Sequence, residues 1–510
     1  MNATTQSAAA RQRVAPLDMD AEEFRLLGHR LVDRLADFLT DLPTRLVSPG
    51  ESPSVVRAAL GNGSLPDEET AAGQLLDEAT TLLLDHSTFN GHPRFWGYVT
   101  SSPAPIGALG DLLAAVVNPN VGAWGLAPIA TEIEAQTVRW IAELLGYPAS
   151  CGGLLVSGGT MANFVGLLAA RHARAGWDVR NTGLAANPHG TLRIYGSAES
   201  HTWLQKAADI FGFGAAAVRL IPTDADLRLD IGALRNAIET DEAVGDRPFL
   251  VVGTAGTVST GAVDPLPEIA AVCRGHGLWF HVDGAYGGFA AALPDASPDL
   301  RGLREADSVA VDPHKWLYTP LEAGCVLVND PTALVAAFGH RPAYYHFDVA
   351  DDARINFYEH GPQNSRGFRA LKVWLGLRQA GRAGCIAMMA DDIALARELH
   401  RRLVVDQRFE ARTQALSITT FRYVPPELSP GDPDTEAYLT RLNTEVLNRL
   451  QLGGAVYLSN AVVDGTFLLR VCVVNFRTTD ADIAALPDIV ARIGAEVDAA
   501  IRPPDLTGRG

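Results

Sequence analysis

Apolar positions near the start of the chain recur at helical spacing. Phe24, Leu27, Leu31, Leu35 and Phe38 share one face of a stretch predicted to be helical over 20–42, with Asp20 and Glu23 at its start and Pro43 at its stop. A second helix is expected over about 68–84, and the Pro/Gly/Ser-rich 43–66 reads as a surface connection. Two such helices have too little apolar face for a core of their own. This arm is therefore expected to pack on something else, a second subunit being the natural candidate. Residues 91–109 are aromatic and turn-rich, as a packed loop or a pocket wall would be. A helix is expected over 126–146.

From about 151 to 330 the pattern changes. Short apolar runs at 154–156, 191–196, 217–221, 249–253, 279–283, 308–312 and 324–328 read as strands. Helical segments at 161–175, 201–211, 230–239 and 265–276 separate most of them. That alternation predicts an α/β fold with a mostly parallel sheet covered on both faces, a class that binds ligands outside the carboxyl ends of its strands. Beyond it, a linking helix (365–380), a helix (390–404), a strand (414–423), a helix (435–451), a hairpin (455–463 and 466–476) turning at Asp464-Gly465, and a last helix (480–502) predict a smaller α+β domain. The expected domains are an arm over 1–104, a large α/β domain over 105–378 and a small domain over 379–510.

Composition narrows the choice. A chain of 510 residues that is 47% hydrophobic and 20% charged is an ordinary globular one. Its formal charge of −17 argues against nucleic acid or an anionic membrane as partner, so an anion site must be local. The five cysteines (Cys151, Cys273, Cys325, Cys385, Cys472) are scattered without metal-ligand spacing, which suggests reduced thiols, a cytoplasmic location and no metal. No apolar run approaches the ~20 residues of a spanning helix. The polar residues 1–16 read as a tail and not as a signal peptide.

Four stretches carry candidate chemistry. In Asp312-Pro313-His314-Lys315-Trp316, a buried strand stops at a proline and leaves one lysine at its mouth. Partial desolvation there favours the neutral amine that forms a Schiff base, although most lysines sit in solvent. Ser157-Gly158-Gly159-Thr160 follows a strand and opens a helix, the form of a phosphate cradle, yet such a turn is as often only a tight turn. Asp283 ends the apolar run Trp279–Val282, where its carboxylate needs a cationic partner such as a protonated pyridine or else caps the next turn. Small residues, Gly284 and Ala285, leave room for a flat ring. Thr254 ends another strand, and His201 follows a third, where it can stack on a planar group or simply open a helix. Phosphate cradle, aspartate, histidine and lysine together match the three handles of pyridoxal phosphate.

On these residues the chain resembles the group II pyridoxal-phosphate-dependent decarboxylases, the family of aromatic-L-amino-acid, tyrosine, histidine and glutamate decarboxylases. The resemblance runs from about 20 to 500. It rests on Asp-Pro-His-Lys-Trp (312–316) and His-Val-Asp-Gly-Ala-Tyr (281–286), and also on His92-Pro93-Arg94-Phe95, Glu132-Ile133-Glu134 and the stretch from Arg366 to Lys372. It implies the fold type I, aspartate-aminotransferase-like architecture, a homodimer interlocked through its N-terminal helices, and pyridoxal 5'-phosphate as cofactor. Lys315 resembles the Schiff-base lysine, Asp283 the partner of the pyridinium nitrogen, and His201 the residue stacked on the ring opposite Ala285. Gly159, Thr160, Thr254, Asp312 and His314 complete the implied cofactor-binding set; Asp312 stands where some members have an asparagine near the phosphate. Tyr344 resembles a mobile-loop proton donor, with Tyr345 as rival. Tyr98, Val99, Thr100, Val121, Ala123 and Trp124 fall on the family's side-chain pocket, and Val99 and Ala123 stand where aromatic decarboxylases often have Phe. The implied reaction is decarboxylation of an L-amino acid, aromatic or related, to its amine. The alternatives are an aldehyde-forming decarboxylase or oxidase, an aminotransferase, a lyase, or action on an acidic or diamino acid.

Overall fold

The computed structural model describes residues 15–340 and 354–506. Among them, those up to Phe89 together with Leu452–Ala455 form one compact unit, and the others form a second. In the first unit, helices Ala21–Asp41, Pro53–Leu60 and Ala72–His86 are joined by contacts such as Arg30 with Asp77 at 3.1 Å. Asp20 caps the first helix as expected, its carboxylate accepting from the Glu22 and Glu23 N–H groups. Helix 53–60, on a stretch read as irregular, starts with Ser52 as N-cap and Pro53 in the first turn.

The second unit is built on a seven-stranded sheet: β1 (Gly152–Val156), β2 (Leu192–Ser197), β3 (Val218–Ile221), β4 (Arg247–Thr254), β5 (Trp279–Asp283), β6 (Ser308–Val311) and β7 (Gly324–Val328). Their order is β1-β7-β6-β5-β4-β2-β3, and only the pairings of β7 are antiparallel. Alternate residues feed two separate cores. Val251, Phe280, Val309, Val311 and Leu327 pack on one face, while Leu250, Val252, Trp279, Ala310 and Val326 pack on the other. With both faces covered, the strands read as continuous apolar runs, which is why they were legible.

β1 is an edge strand whose free backbone groups are covered by side chains. Leu155 N–H donates to Glu134 Oε1 at 2.9 Å, and Leu155 C=O accepts from Arg366 Nη2 at 2.7 Å. Arg366 and Glu134, both almost fully buried, pair at 2.5 Å. Arg366 also donates to the Val121 carbonyl, so one buried ion pair locates both β1 and the 120–122 turn.

One reading of the later chain is corrected. The strand expected over 414–423 is a hairpin, β8 (Phe409–Ala415) and β9 (Ile418–Tyr423), turning at Leu416 with φ of 48°. Leucine there carries no turn signal. The two helices expected at 365–380 and 390–404 are present within Ala370–Val405, separated by a kink at Gly381, whose φ of 65° is cheap for glycine. Helix Pro105–Val117 is a further addition. The Asp464-Gly465 hairpin joins β10 (Ser459–Val463) to β11 (Thr466–Cys472), both turn residues having positive φ, and the second sheet runs β10-β11-β9-β8.

Candidate active site

Strand ends of the large sheet converge on a cavity of about 330 Å³, at the small end of the ~300–1,000 Å³ range of ligand sites. It is lined by Gly159, Thr160, His201, Thr254, Asp283, Ala285, Asp312, His314 and Lys315, every member of the cofactor-binding set read from sequence. They arrive from the carboxyl ends of five strands, β1, β2, β4, β5 and β6, or from the residues just after them.

At one end the polar groups are already paired. Asp283 Oδ2 accepts from the indole N–H of Trp203 at 2.7 Å, and Oδ1 accepts from the Ala285 N–H at 3.1 Å. Neutral donors therefore hold this carboxylate, and among the described residues it makes no ion pair. The turn-capping contact to Ala285 is present as well, so it and a ligand role are compatible. Trp203 N–H donates to His201 Nδ1 at 3.2 Å, which leaves the neutral ring's proton on Nε2. Burial lowers the His201 pKa and favours that neutral form. Behind Asp283, the buried His281 ring bonds Ser308 Oγ and Asn163 Oδ1, each at 2.7 Å, and burial holds its pKa down to about 4.

The other end is different. Helix Gly159–Arg174 points its N-terminus at the cavity. A Cβ on Gly159 would lie 2.8 Å from Asp312 Oδ2 and 2.9 Å from the Ala285 Cβ, so only glycine leaves this corner open. Lys315 Nζ is 3.0 Å from Asp312 Oδ2, and His314 Nε2 is 3.6 Å from the same oxygen. Asp312 Oδ1 is buried here with no hydrogen-bond partner, as is Thr254 Oγ1 on the strand beside Asp283. Unpaired buried oxygens are costly unless a ligand or water satisfies them. Thr254 is itself fixed through its backbone N–H, 2.7 Å from the buried Asp264.

These groups fit pyridoxal 5'-phosphate. A helix N-terminus with Ser157 and Thr160 suits the phosphate, the free Thr254 hydroxyl lines the cavity, Asp283 suits the ring nitrogen, and Lys315 suits the aldehyde. Missed from sequence were Trp203 and Asn163. Asn163 follows Gly159 by one helical turn, a spacing present in the chain, whereas the burial of the Trp203 indole against Asp283 is visible only in the fold.

The side-chain pocket set lies elsewhere. Val121 and Ala123 are buried, Tyr98 is exposed with φ of 52°, and none of the six lines this cavity. The segment 98–100 is nonetheless adjacent, since Ser101 Oγ donates to the His314 carbonyl at 2.8 Å. Trp124 donates to Glu132. Arg470, from β11, reaches the Tyr98 carbonyl at 3.1 Å. Tyr344 and Tyr345 lie outside the described residues.

The model of the "Pyridoxal-dependent decarboxylase conserved domain" matches residues 53–424. An aromatic-L-amino-acid decarboxylase of Bacillus atrophaeus is 33% identical over 483 residues, covering 94% of this chain and 97% of that protein. A tyrosine decarboxylase of Oryza sativa subsp. japonica is 34% identical over 495 residues, covering 94% and 91%. The crystal structure of Oryza sativa TDC with PLP and tryptamine superimposes with a TM-score of 0.87 at 28% identity, over 95% of this chain and 99% of that one.

Proposed function

Because the chain belongs to the pyridoxal-dependent decarboxylase family and is a pyridoxal-5'-phosphate-dependent amino-acid decarboxylase, we propose that it converts an aromatic L-amino acid to its amine, with Lys315, Asp283 and His201 as the reacting groups. The observation that carries this reading is the meeting of those three side chains with Thr254 and the Gly159–Thr160 helix start in one cavity. The curated relatives named above act on aromatic amino acids, which supports the aromatic choice.

Bound there, the cofactor supplies an aldehyde for amines and a ring that draws off the electron pair of the broken carbon–carboxyl bond. Lys315 would provide the amine that anchors it. Asp283, held by Trp203 and Ala285, would hold the ring nitrogen in its protonated form. His201, neutral and with its proton on Nε2, would hold a proton at that atom beside the bound group. Tyr344 is assigned return of a proton to the substrate carbon on the resemblance alone. Tyr98, Val99 and Thr100 are assigned to the substrate side chain, together with Val121, Ala123 and Trp124.

The protein is proposed to act as a homodimer in the cytoplasm. Leu109, Leu112, Leu113, Val116 and Val117 on helix Pro105–Val117 are more than half exposed, an apolar face that a second copy would cover. Among the described residues no helix is long and apolar enough to cross a membrane.

The test is an amino-acid panel with carbon dioxide, amine, keto acid, ammonia and peroxide measured together. Aromatic substrates should give carbon dioxide and amine in equal amounts. Preference for an acidic or diamino acid, or peroxide in step with carbon dioxide, would overturn the proposal.

A further inference from the structure

The lysine turn is held from below by a group that does not reach the cavity. Trp316 and Tyr318, one and three residues after Lys315, are almost completely buried, and each carries one polar hydrogen that needs an acceptor. Both find the same atom. Asp392 Oδ2, on helix Ala370–Val405, accepts from Trp316 Nε1 at 3.1 Å and from Tyr318 Oη at 2.7 Å. Its other oxygen accepts from the Asn475 N–H at 3.3 Å. Asn475 in turn donates to the His92 carbonyl at 2.7 Å.

Tyr318 adds a second observation. Its φ of 51° is in the left-handed region, which costs energy for any residue with a bulky side chain. Its N–H donates to the Lys315 carbonyl at 3.1 Å, so the strained residue closes the turn that displays the lysine. The Asp392 carboxylate fixes the hydroxyl end of that side chain, while Phe476 packs on its ring, 5.4 Å between centroids. Trp316 also lies 4.9 Å from Tyr286, and Tyr286 lines the cavity.

We infer that Asp392 is a positioning residue for Lys315, acting through the Trp316 indole and the Tyr318 hydroxyl. The inference rests on Lys315 as the cofactor anchor. Three donors and no cation surround this carboxylate among the described residues; Asp391, Cys385 and Cys472 are the other titratable groups near it or its tyrosine. Burial raises its pKa to about 7. An acid so placed gains nothing from solvent, and its role lies in what it holds.

The test follows re-attachment of pyridoxal 5'-phosphate to enzyme stripped of it, read as growth of the visible band of the lysine-linked cofactor. Asp392→Asn keeps the shape and replaces one acceptor oxygen by a donor. It should slow band formation roughly tenfold, as expected where a buried donor is set against a donor, and lower the unfolding midpoint while leaving the enzyme folded at the assay temperature. Tyr318→Phe should slow it in the same direction, and it serves if the first variant does not fold. In a Trp316→Phe/Tyr318→Phe background, Asp392→Asn should have almost no further effect, because its route to the lysine is gone. Band formation at the wild-type rate in Asp392→Asn, or effects that multiply independently, would overturn the inference. Absence of a band in the wild-type enzyme would instead remove the Lys315 assignment, so the two failures are distinguishable.

Discussion

The two ends of the cavity are built on opposite plans. At the Asp283 end the carboxylate is already paired with the Trp203 indole and the Ala285 N–H, and His201 Nδ1 accepts from a backbone N–H; Thr254 Oγ1, on the neighbouring strand, is the exception. At the Gly159 end Asp312 Oδ1 is buried without a partner, and the backbone is held from outside, through the Arg366–Glu134 pair beside β1. The difference suits what each end is proposed to bind. A ring nitrogen takes one hydrogen bond and needs its acceptor aimed in advance. A phosphate takes many, and the free N–H groups of a helix start can supply them.

The largest effect should come from removing the group between the two ends. Lys315→Ala should abolish the visible band near ~420 nm expected of a lysine-linked cofactor and reduce carbon dioxide release to background. A retained band in that variant would show that another amine is the anchor.

Next is the outside support of the Gly159 end. Arg366→Met takes the counter-charge from the buried Glu134, which should lower the unfolding free energy by about 3–5 kcal/mol in chemical denaturation. A loss below 1 kcal/mol would mean that β1 is held by its pairing with β7 alone.

The Asp283 end should show itself in acid. His281 binds a proton at about pH 4 when folded and near 6.5 when unfolded. The unfolded chain therefore holds more protons between those values, and stability falls as pH drops through that window, by roughly 3 kcal/mol in all. Replacing His281 by Gln should flatten urea midpoints measured between pH 7 and 4.5. An unchanged slope would assign the acid sensitivity to other groups.

The smallest expected effect is the most specific to this end. Trp203→Phe keeps the ring and loses the N–H, so cofactor affinity should weaken by about 1.5–3 kcal/mol in a binding titration. Unchanged affinity would mean that the Ala285 N–H suffices to aim Asp283.

Much of this was readable along the chain because it is local. Strand endings, glycines at a helix start and the residues around Lys315 announce themselves within ten positions, and an α/β sheet gathers its strand ends by topology alone. The resemblance then assigned roles to those same positions. What could not be read was partnership at long range. That Trp203 meets Asp283, that Arg366 caps β1, or that Asp392 lies under Lys315 depends on side chains 80, 211 and 77 positions apart in the chain. Hydrophobic periodicity records only which face of an element is buried, and says nothing of which buried polar group it will find there. The chain by itself determined the kind of sheet and the chemical groups at its edge. Tertiary structure decided their hydrogen-bond partners, because those are chosen by packing across layers that sequence neighbours do not share.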